Sequence, residues 1–504
     1  MGIMINRKSI IPLGLCLSTM LAACESLSTE PSTGMASETA LGTLEGIEAA
    51  TRGNYRRLID HGLDWHRLAE FPSDEVMLCC TTSSALYNLY TYIHAPNLSN
   101  VRGIWRGLYQ AIYGTNQVIE RLEPGTSPET DQLLGENIFL RAYFHFYLVN
   151  AFGRPYVQGR DNPGVPIVTG TDPDERPARA TVGEVYDFVV AELERAAELM
   201  TIAKPNGFAT REAAWALLSR VHLYRGENEQ TIEYATRVIE SGRFQLADME
   251  TYKAWPTMPP ESNPELIFAI KHTQADNRGS SNVGYLYYRS PDGVGYGEMY
   301  MALPLYEKLM EHPEDARLAF IDPQYERDAD GNIVTDEEGR PVIQTRNGVP
   351  MIYVIKYVGQ EGIVTLSSPV VLRLAEMYLN RAEANAKLGN DAAALEDVNR
   401  IRQRAGLSGD GLYSIGDLKG HDSVLDVVLE ERHLELAFEG HRTYDLFRNG
   451  RPVVRTYPGS HLTPIAPGVN VEAGTQLIPP DHPRIVYFLP EDELELNSNL
   501  EQNP

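Results

Sequence analysis

The residue whose chemistry is most sharply set by its neighbours is Cys24. Leu21-Ala22-Ala23-Cys24 closes an apolar run from Ile10 to Met20 that follows Arg7 and Lys8. A positive start, a short apolar core and small residues at the cleavage point make a secretory signal. A cysteine at the first position of the cleaved chain adds a thiol that can take a lipid. Residues 1–23 therefore read as a lipoprotein signal peptide and Cys24 as the lipidation site. A spanning helix needs roughly 20 apolar residues, more than this run supplies. The expected membrane contact is through the lipid on Cys24, with the body of the chain working outside the cytoplasm.

Tyrosine is the second residue type whose placement suggests chemistry. The chain has 27. Two groups fall outside clear helical patterns: Tyr87, Tyr90 and Tyr92 with His94, and a Gly-rich stretch carrying Tyr285, Tyr287, Tyr288 and Tyr296. A tyrosine offers a flat apolar face and a polar tip, which suits stacking on a sugar ring or lining a peptide groove. Trp65 joins these candidates because it is freer than the rest. Trp105, Trp215 and Trp255 sit in patterned segments and read as core.

Most other chemistry fails on spacing. Gly293-Val-Gly295-Tyr-Gly297 lacks the preceding strand and following helix of a dinucleotide loop, and Pro291 and Pro304 crowd it. Glu430-Glu-Arg-His433 is a single E-x-x-H, where a di-iron bundle needs two. Asp328-Ala-Asp330-Gly331-Asn332 imitates a calcium loop, but its glycine comes too early and no bidentate Glu follows, so a hairpin turn is expected. Cys79 and Cys80 are adjacent, which disfavours an ordinary disulfide, and no second cysteine pair supports zinc. Pairs of carboxylates could serve a glycosidase, but with 69 acidic residues some will meet by chance. The net charge of −25 repels phosphate backbones, so nucleic acid is not an expected partner. No catalytic residue, cofactor or metal site is assigned.

The elements that must position these residues are mainly helical. Residues 103–122 and 133–152 carry apolar residues at three- and four-residue spacing. Thr181 with Glu184 forms a capping box for a helix to Met200, and Thr210 opens another that Gly226 ends. Ser219, Gly226 and Thr231 are small residues spaced seven and five apart, and Ala382, Gly389 and Ala394 repeat that spacing. Small residues there let antiparallel helices approach closely, as in tetratricopeptide (TPR) units. Leu266–Ile270 has strand character, and Asp330-Gly331, Glu338-Gly339 and Asn347-Gly348 punctuate Val- and Ile-rich runs as hairpin turns do. Helices are expected again from Pro369 to Arg448. The charged run Glu430 to Arg448 is expected to form ion pairs, with Glu435, Glu439 and Arg442 meeting across a bend at Gly440.

Several ordered stretches resemble the SusD/RagB family of outer-membrane nutrient-binding lipoproteins, over nearly the whole mature chain. They are Trp105-Arg-Gly-Leu-Tyr109 with Asn116 and Ile119, then 141–153, Gly164-Val-Pro-Ile167, and Arg179-Ala-Thr181 with Glu184-Val-Tyr186. Residues 372–383, Asn399-Arg-Ile-Arg402, Glu431-Arg432, Glu435-Leu436, Phe438-Glu-Gly-His-Arg442 with Asp445-Leu446, and the ending 497–504 follow in order. The resemblance implies a mainly α, SusD-like fold, in which a TPR-like helical scaffold carries an irregular, loop- and hairpin-rich ligand-binding half. It implies a SusC-like TonB-dependent transporter as partner, an oligosaccharide or peptide ligand with glycans foremost, and an outer-membrane, lipid-anchored, surface-facing location. Asp74-Glu75 is similar to the family's short acidic motif, so Asp74 joins the candidate ligand residues.

The organisation expected is a signal peptide at 1–23, a lipidated flexible tether at 24–43 and one SusD-like domain at 44–504. Within it, TPR-like helices fall at about 133–242 and 369–448, an irregular hairpin insertion at about 245–368, and a Pro-rich C-terminal segment at 451–504. The reading is a non-enzymatic protein that captures an oligomeric nutrient. The alternatives are a TPR scaffold for envelope assembly and a surface glycan hydrolase.

Overall fold

The computed structural model describes residues 41–79, 85–297, 299–459, 470–472 and 475–504. The expected signal peptide, the candidate lipid site Cys24, most of the expected tether and Cys80 lie outside the described residues. Among the described residues no helix is long and apolar enough to cross a membrane.

The architecture is mainly α. Eight longer helices come first into view: α1 (Leu44–Glu70), α3 (Ser99–Ile119), α4 (Pro128–Phe152), α5 (Val182–Leu199), α6 (Arg211–Arg225), α7 (Asn228–Glu240), α11 (Leu374–Lys387) and α12 (Asp391–Arg404). Shorter α2 (Ala85–Tyr90), α8 (Met249–Ala254), α9 (Gly284–Tyr287) and α10 (Leu303–Met310) fall between them. The chain ends through α13 (Val424–Glu435), α14 (Arg442–Arg448) and α15 (Glu491–Leu496).

Local chemistry explains the boundaries. Thr181 accepts from the Glu184 backbone N–H while the Glu184 side chain accepts from the Thr181 backbone, the expected capping box. Ser127 caps α4 with Thr130, and Pro128 occupies the first turn, where no backbone donor is needed. Almost every side chain of α4 is buried. It is the central helix, packed against α1, α3 and α5. A helix that is apolar all round has no other place to go.

The two small-residue triplets do what their spacing predicts. Helix α6 packs on α7 and α11 on α12. Ser219 Oγ donates to the Thr231 carbonyl at 3.3 Å, and Ala382 and Ala394 are wholly buried in one cluster. Gly226 (φ 75°) and Gly389 (φ 79°) make the left-handed turns that send each chain back.

Between α7 and α11 the chain leaves the helical stack and returns. Strand β2 (Leu266–Ala269) pairs antiparallel with β8 (Val370–Arg373), zipping the two ends of this excursion together so that α11 can pack on α7. Residues 370–373 are therefore strand, where the sequence pattern suggested helix from Pro369. The run Val370-Val371-Leu372 fits a pleated, buried edge better than a helix start. Within the excursion β4 (Ile321–Pro323) pairs with β7 (Ile352–Val354) and β5 (Thr345–Arg346) with β6 (Val349–Pro350), while β3 (Met299–Met301) pairs with β1 (Val76–Leu78) from the segment after α1. Asn347 (φ 54°) and Gly348 (φ 78°) close the last hairpin with both central residues left-handed, the twist a two-residue turn needs. Asp328 accepts from the backbone N–H groups of Asp330 and Asn332, so its loop is a hairpin turn.

The charged C-terminal helical run is a buried network rather than a surface. Glu431 receives Arg317 at 2.6 Å and Arg402 at 2.8 Å. Glu435 receives Arg373 at 2.5 Å together with Arg404. Glu439 receives Arg373 at 2.8 Å and Lys356 at 2.5 Å. Burial pushes the Glu435 and Glu439 carboxyls up, but the surrounding guanidiniums more than offset this and hold both at about 2. The run is two helices, broken where Phe438 (φ 65°) and Gly440 (φ 81°) turn left-handed. Arg442 is thereby swung away from Glu435 and Glu439, and pairs instead with Asp74.

Candidate functional site: a tyrosine surface on a glycine loop

Tyr285 lies in α9 and Tyr288 is the extended residue that ends it, while Leu286 and Tyr287 between them are buried. The loop that follows folds back on this turn. Ser290 N–H donates to the Val294 carbonyl at 2.8 Å, and Tyr296 N–H donates to the Tyr285 carbonyl at 2.8 Å. That last bond sets the Tyr285 and Tyr296 rings edge to face, 5.5 Å between centroids with 62° between planes. Tyr296 is 39% exposed and Tyr285 is half-buried.

The loop can only close this way with glycine. Gly295 has φ 102°, and a Cβ there would overlap the Tyr288 carbonyl oxygen. Tyr288, also half-buried, sets its ring 5.5 Å from that of Tyr353, which in turn lies 5.7 Å from Tyr300 on β3. Arg346 of the neighbouring hairpin donates to the Gly297 carbonyl at 3.4 Å, and Asn347 donates to the Cys79 carbonyl at 3.0 Å. Exposed Arg289 adds a cation to the loop. The result is a partly exposed tyrosine shelf with backbone carbonyls, hydroxyls and a guanidinium at its rim. Such a surface can stack a ring and hydrogen-bond its edge.

The other candidate residues are held elsewhere. Tyr287 is fully buried, its hydroxyl 2.6 Å from His66 Nε2. Tyr90 is fully buried under the Arg455 guanidinium, 4.0 Å above its ring. Tyr92 is buried and donates to the Pro72 carbonyl at 2.7 Å. His94 is buried with Nε2 3.0 Å from the Arg484 carbonyl oxygen and its ring against Tyr487. Tyr87 is buried too, and burial raises its hydroxyl pKa. This first group therefore packs the interior, much of it against the C-terminal segment, and does not join the tyrosine shelf. Trp65 is half-buried, edge-on to Tyr147 at 3.8 Å and stacked over Tyr444.

Asp74 forms a two-pronged pair with Arg442. Burial pushes its carboxyl up, but the guanidinium prevails and holds it at about 2. Nearby, Glu70 and Glu75 are both buried and accept from the Gly440 and Phe438 backbone N–H groups. Burial raises both carboxyls above the ordinary range, and the neighbouring Glu70 raises Glu75 further, so together they retain a proton. Among the described residues no group of three or more His, Cys, Asp or Glu is placed to hold a metal ion. Arg289, Tyr353 and the Asn347-Gly348 hairpin were not singled out from sequence as parts of this surface; the turn signal marked the hairpin, but nothing local indicated its neighbours.

Two family models cover most of the chain: residues 267–504 match the SusD family, and residues 70–223 match one described as starch-binding associating with outer membrane. The chain belongs to the SusD/RagB family. The SusD-like protein P38 of Formosa agariphila is 26% identical over 391 residues, covering 71% of this chain and 74% of that protein. The starch-binding protein SusD of Bacteroides thetaiotaomicron is 22% identical, covering 91% and 87%. Among solved structures, a SusD superfamily protein from Bacteroides vulgatus superposes with a TM-score of 0.77 at 26% identity, covering 92% of this chain and 99% of that one. A putative sugar binding protein from the same species gives 0.75 at 28%, covering 92% and 98%. The SusD/RagB fold is thus shared over 92% of the chain, with the tyrosine shelf carried on the excursion between α7 and α11.

Proposed function

We propose that this protein is an outer-membrane surface lipoprotein that binds an oligomeric nutrient, a glycan in the first place, and delivers it to a SusC-like TonB-dependent transporter. The observation that carries the reading is the Tyr285–Tyr296 pair, a partly exposed aromatic edge fixed by a loop that only glycine can close. Its family relatives support the ligand class, being named for starch and sugar binding. Capture requires stacking faces and a few hydrogen-bonding partners, and no covalent step. The acids of the C-terminal helices are committed to arginines rather than poised for proton transfer. The ligand residues in this reading are Tyr285, Tyr288 and Tyr296, with anchoring through Cys24.

The test is calorimetry of the protein against oligosaccharides and peptides, with the same samples assayed for product. Saturable heat with intact ligand, weakened about fivefold by Tyr296→Ala, is expected, a ring contact being worth about 1 kcal/mol. Product formation would instead establish a hydrolase. Co-purification of the tagged protein with a TonB-dependent barrel from outer membranes tests the partner; recovery without one would favour an independent scaffold.

A further inference from the structure

A second aromatic surface lies on the helical stack, away from the tyrosine loop. Helices α5, α6 and α7 line an open groove of about 610 Å³. Its floor is Trp215 of α6, whose indole is half-buried although α6 is otherwise almost entirely interior. One wall is Tyr234 of α7, stacked flat on His222 at 5.4 Å and donating its hydroxyl to Glu194 of α5 at 2.9 Å. Arg237, ion-paired with Glu233, lies over both rings, its guanidinium 5.0 Å from the Tyr234 ring centre and 6.0 Å from the Trp215 ring centre. Arg211 is pinned across the helix pair by donating to the Ala197 carbonyl at 2.9 Å, and Glu198 stands exposed on the facing rim.

These features select a ligand chemistry. A large ring that packs against the core yet stays partly exposed forgoes burial that a neighbouring side chain could have supplied, and Trp215 lines a groove rather than standing alone on a helix face. Two carboxylates and two guanidiniums line the rim, so their formal charges cancel within a chain of net charge −25. A cationic peptide would favour a net negative lining, and a phosphate or sulfate a net positive one. A flat apolar face with paired donors and acceptors around it fits a neutral ring that is apolar on its face and hydroxylated at its edge. The volume lies within the roughly 300–1,000 Å³ of small-molecule pockets.

We propose that the Trp215 groove is a second carbohydrate site, taking a pyranose ring of a neutral oligosaccharide on the indole, with Arg211, Glu198 and Arg237 bonding its hydroxyls. It extends the glycan reading to a separate part of the fold and does not require the tyrosine shelf. Two sites on one chain would let a single long glycan be held at two points, so that binding at one raises the effective concentration at the other.

The experiment is intrinsic tryptophan fluorescence, with iodide as quencher, on the full chain titrated with malto-, laminari-, xylo- and manno-oligosaccharides. At least one series should shield the indole saturably. Trp215→Ala should abolish that shielding and Glu198→Gln should weaken the binding several-fold, while Tyr296→Ala leaves the shielding intact. Trp215→Phe, which keeps more of the packing, replaces the alanine variant if that one fails to fold, and should weaken calorimetric binding. Shielding that persists unchanged in the Trp215 and Glu198 variants overturns the inference, as does its absence with all four series. Weakened but not abolished calorimetric binding in Tyr296→Ala with the shielding retained would leave both sites standing. Tyr296→Ala with no effect on any signal would remove the shelf and leave the Trp215 site.

Discussion

Asp74 and Arg442 stand 368 residues apart and meet in a parallel two-pronged ion pair, Nε to Oδ1 at 2.7 Å and Nη2 to Oδ2 at 2.9 Å. With side chains only 13% and 16% exposed, the pair clamps the turn between α13 and α14 to the segment joining α1 to β1. Removing one partner of a largely buried pair leaves the other charge uncompensated, at a cost of about 3–5 kcal/mol. Asp74→Asn should lower the denaturant midpoint accordingly and leave oligosaccharide affinity unchanged in the folded protein. A stable Asp74→Asn variant with impaired binding would return Asp74 to the ligand surface.

The protein's pH dependence should come from two sets of carboxylates with opposite signs. Asp74, Glu435 and Glu439 are held at about 2, so the folded state releases their protons more readily than the unfolded chain does. Their contribution is present above the ordinary carboxylate range and is lost as pH falls from about 4.5 towards 2. The Glu70–Glu75 pair acts the other way. It is raised, with Glu70 at about 7, so the folded state holds a proton the unfolded chain gives up. That contribution is full below about 4.5 and is lost as pH rises through about 7. Unfolding midpoints from pH 2 to 9 should peak near the acidic side of neutral, and Glu75→Gln should flatten the alkaline limb while leaving the acid limb in place.

Gly295→Ala tests whether the loop makes the tyrosine surface. The new Cβ would overlap the Tyr288 carbonyl, and φ 102° disfavours any side chain. Such strain costs about 1–3 kcal/mol, which the exposed loop would relieve by moving. The expected outcome is a small loss of global stability with a several-fold loss of ligand affinity. The reverse pattern would make the loop structural.

Ala382→Leu tests the close helix pairing. Ala382 is wholly buried against Ala394, so added methylenes must push α11 from α12. A destabilisation of about 1–3 kcal/mol is expected from overpacking, read by thermal or denaturant unfolding. A neutral result would mean the pair tolerates a wider spacing than its small residues suggest.

What the sequence determined by itself is the local grammar. Thr181 with Glu184, Ser219 with Thr231, Gly226 and Gly389, and the Asn347-Gly348 turn act through residues within a dozen positions, so their types and spacing suffice to read them. Which tyrosines face solvent is not a local matter. Tyr92 is buried by a bond to Pro72, His94 by the Arg484 carbonyl 390 residues away, and Tyr287 by His66. Tyr285 and Tyr296, in much the same kind of sequence, stay at the surface. Trp215 lies in a helix whose pattern says core and does pack against the core, but it also lines the groove between α5 and α7 and stays partly exposed. The partners of Asp74 and Glu439 were likewise set by where the chain returns to itself. Burial and charge pairing depend on distant segments that arrive only when the fold closes, and no short-range pattern encodes their arrival.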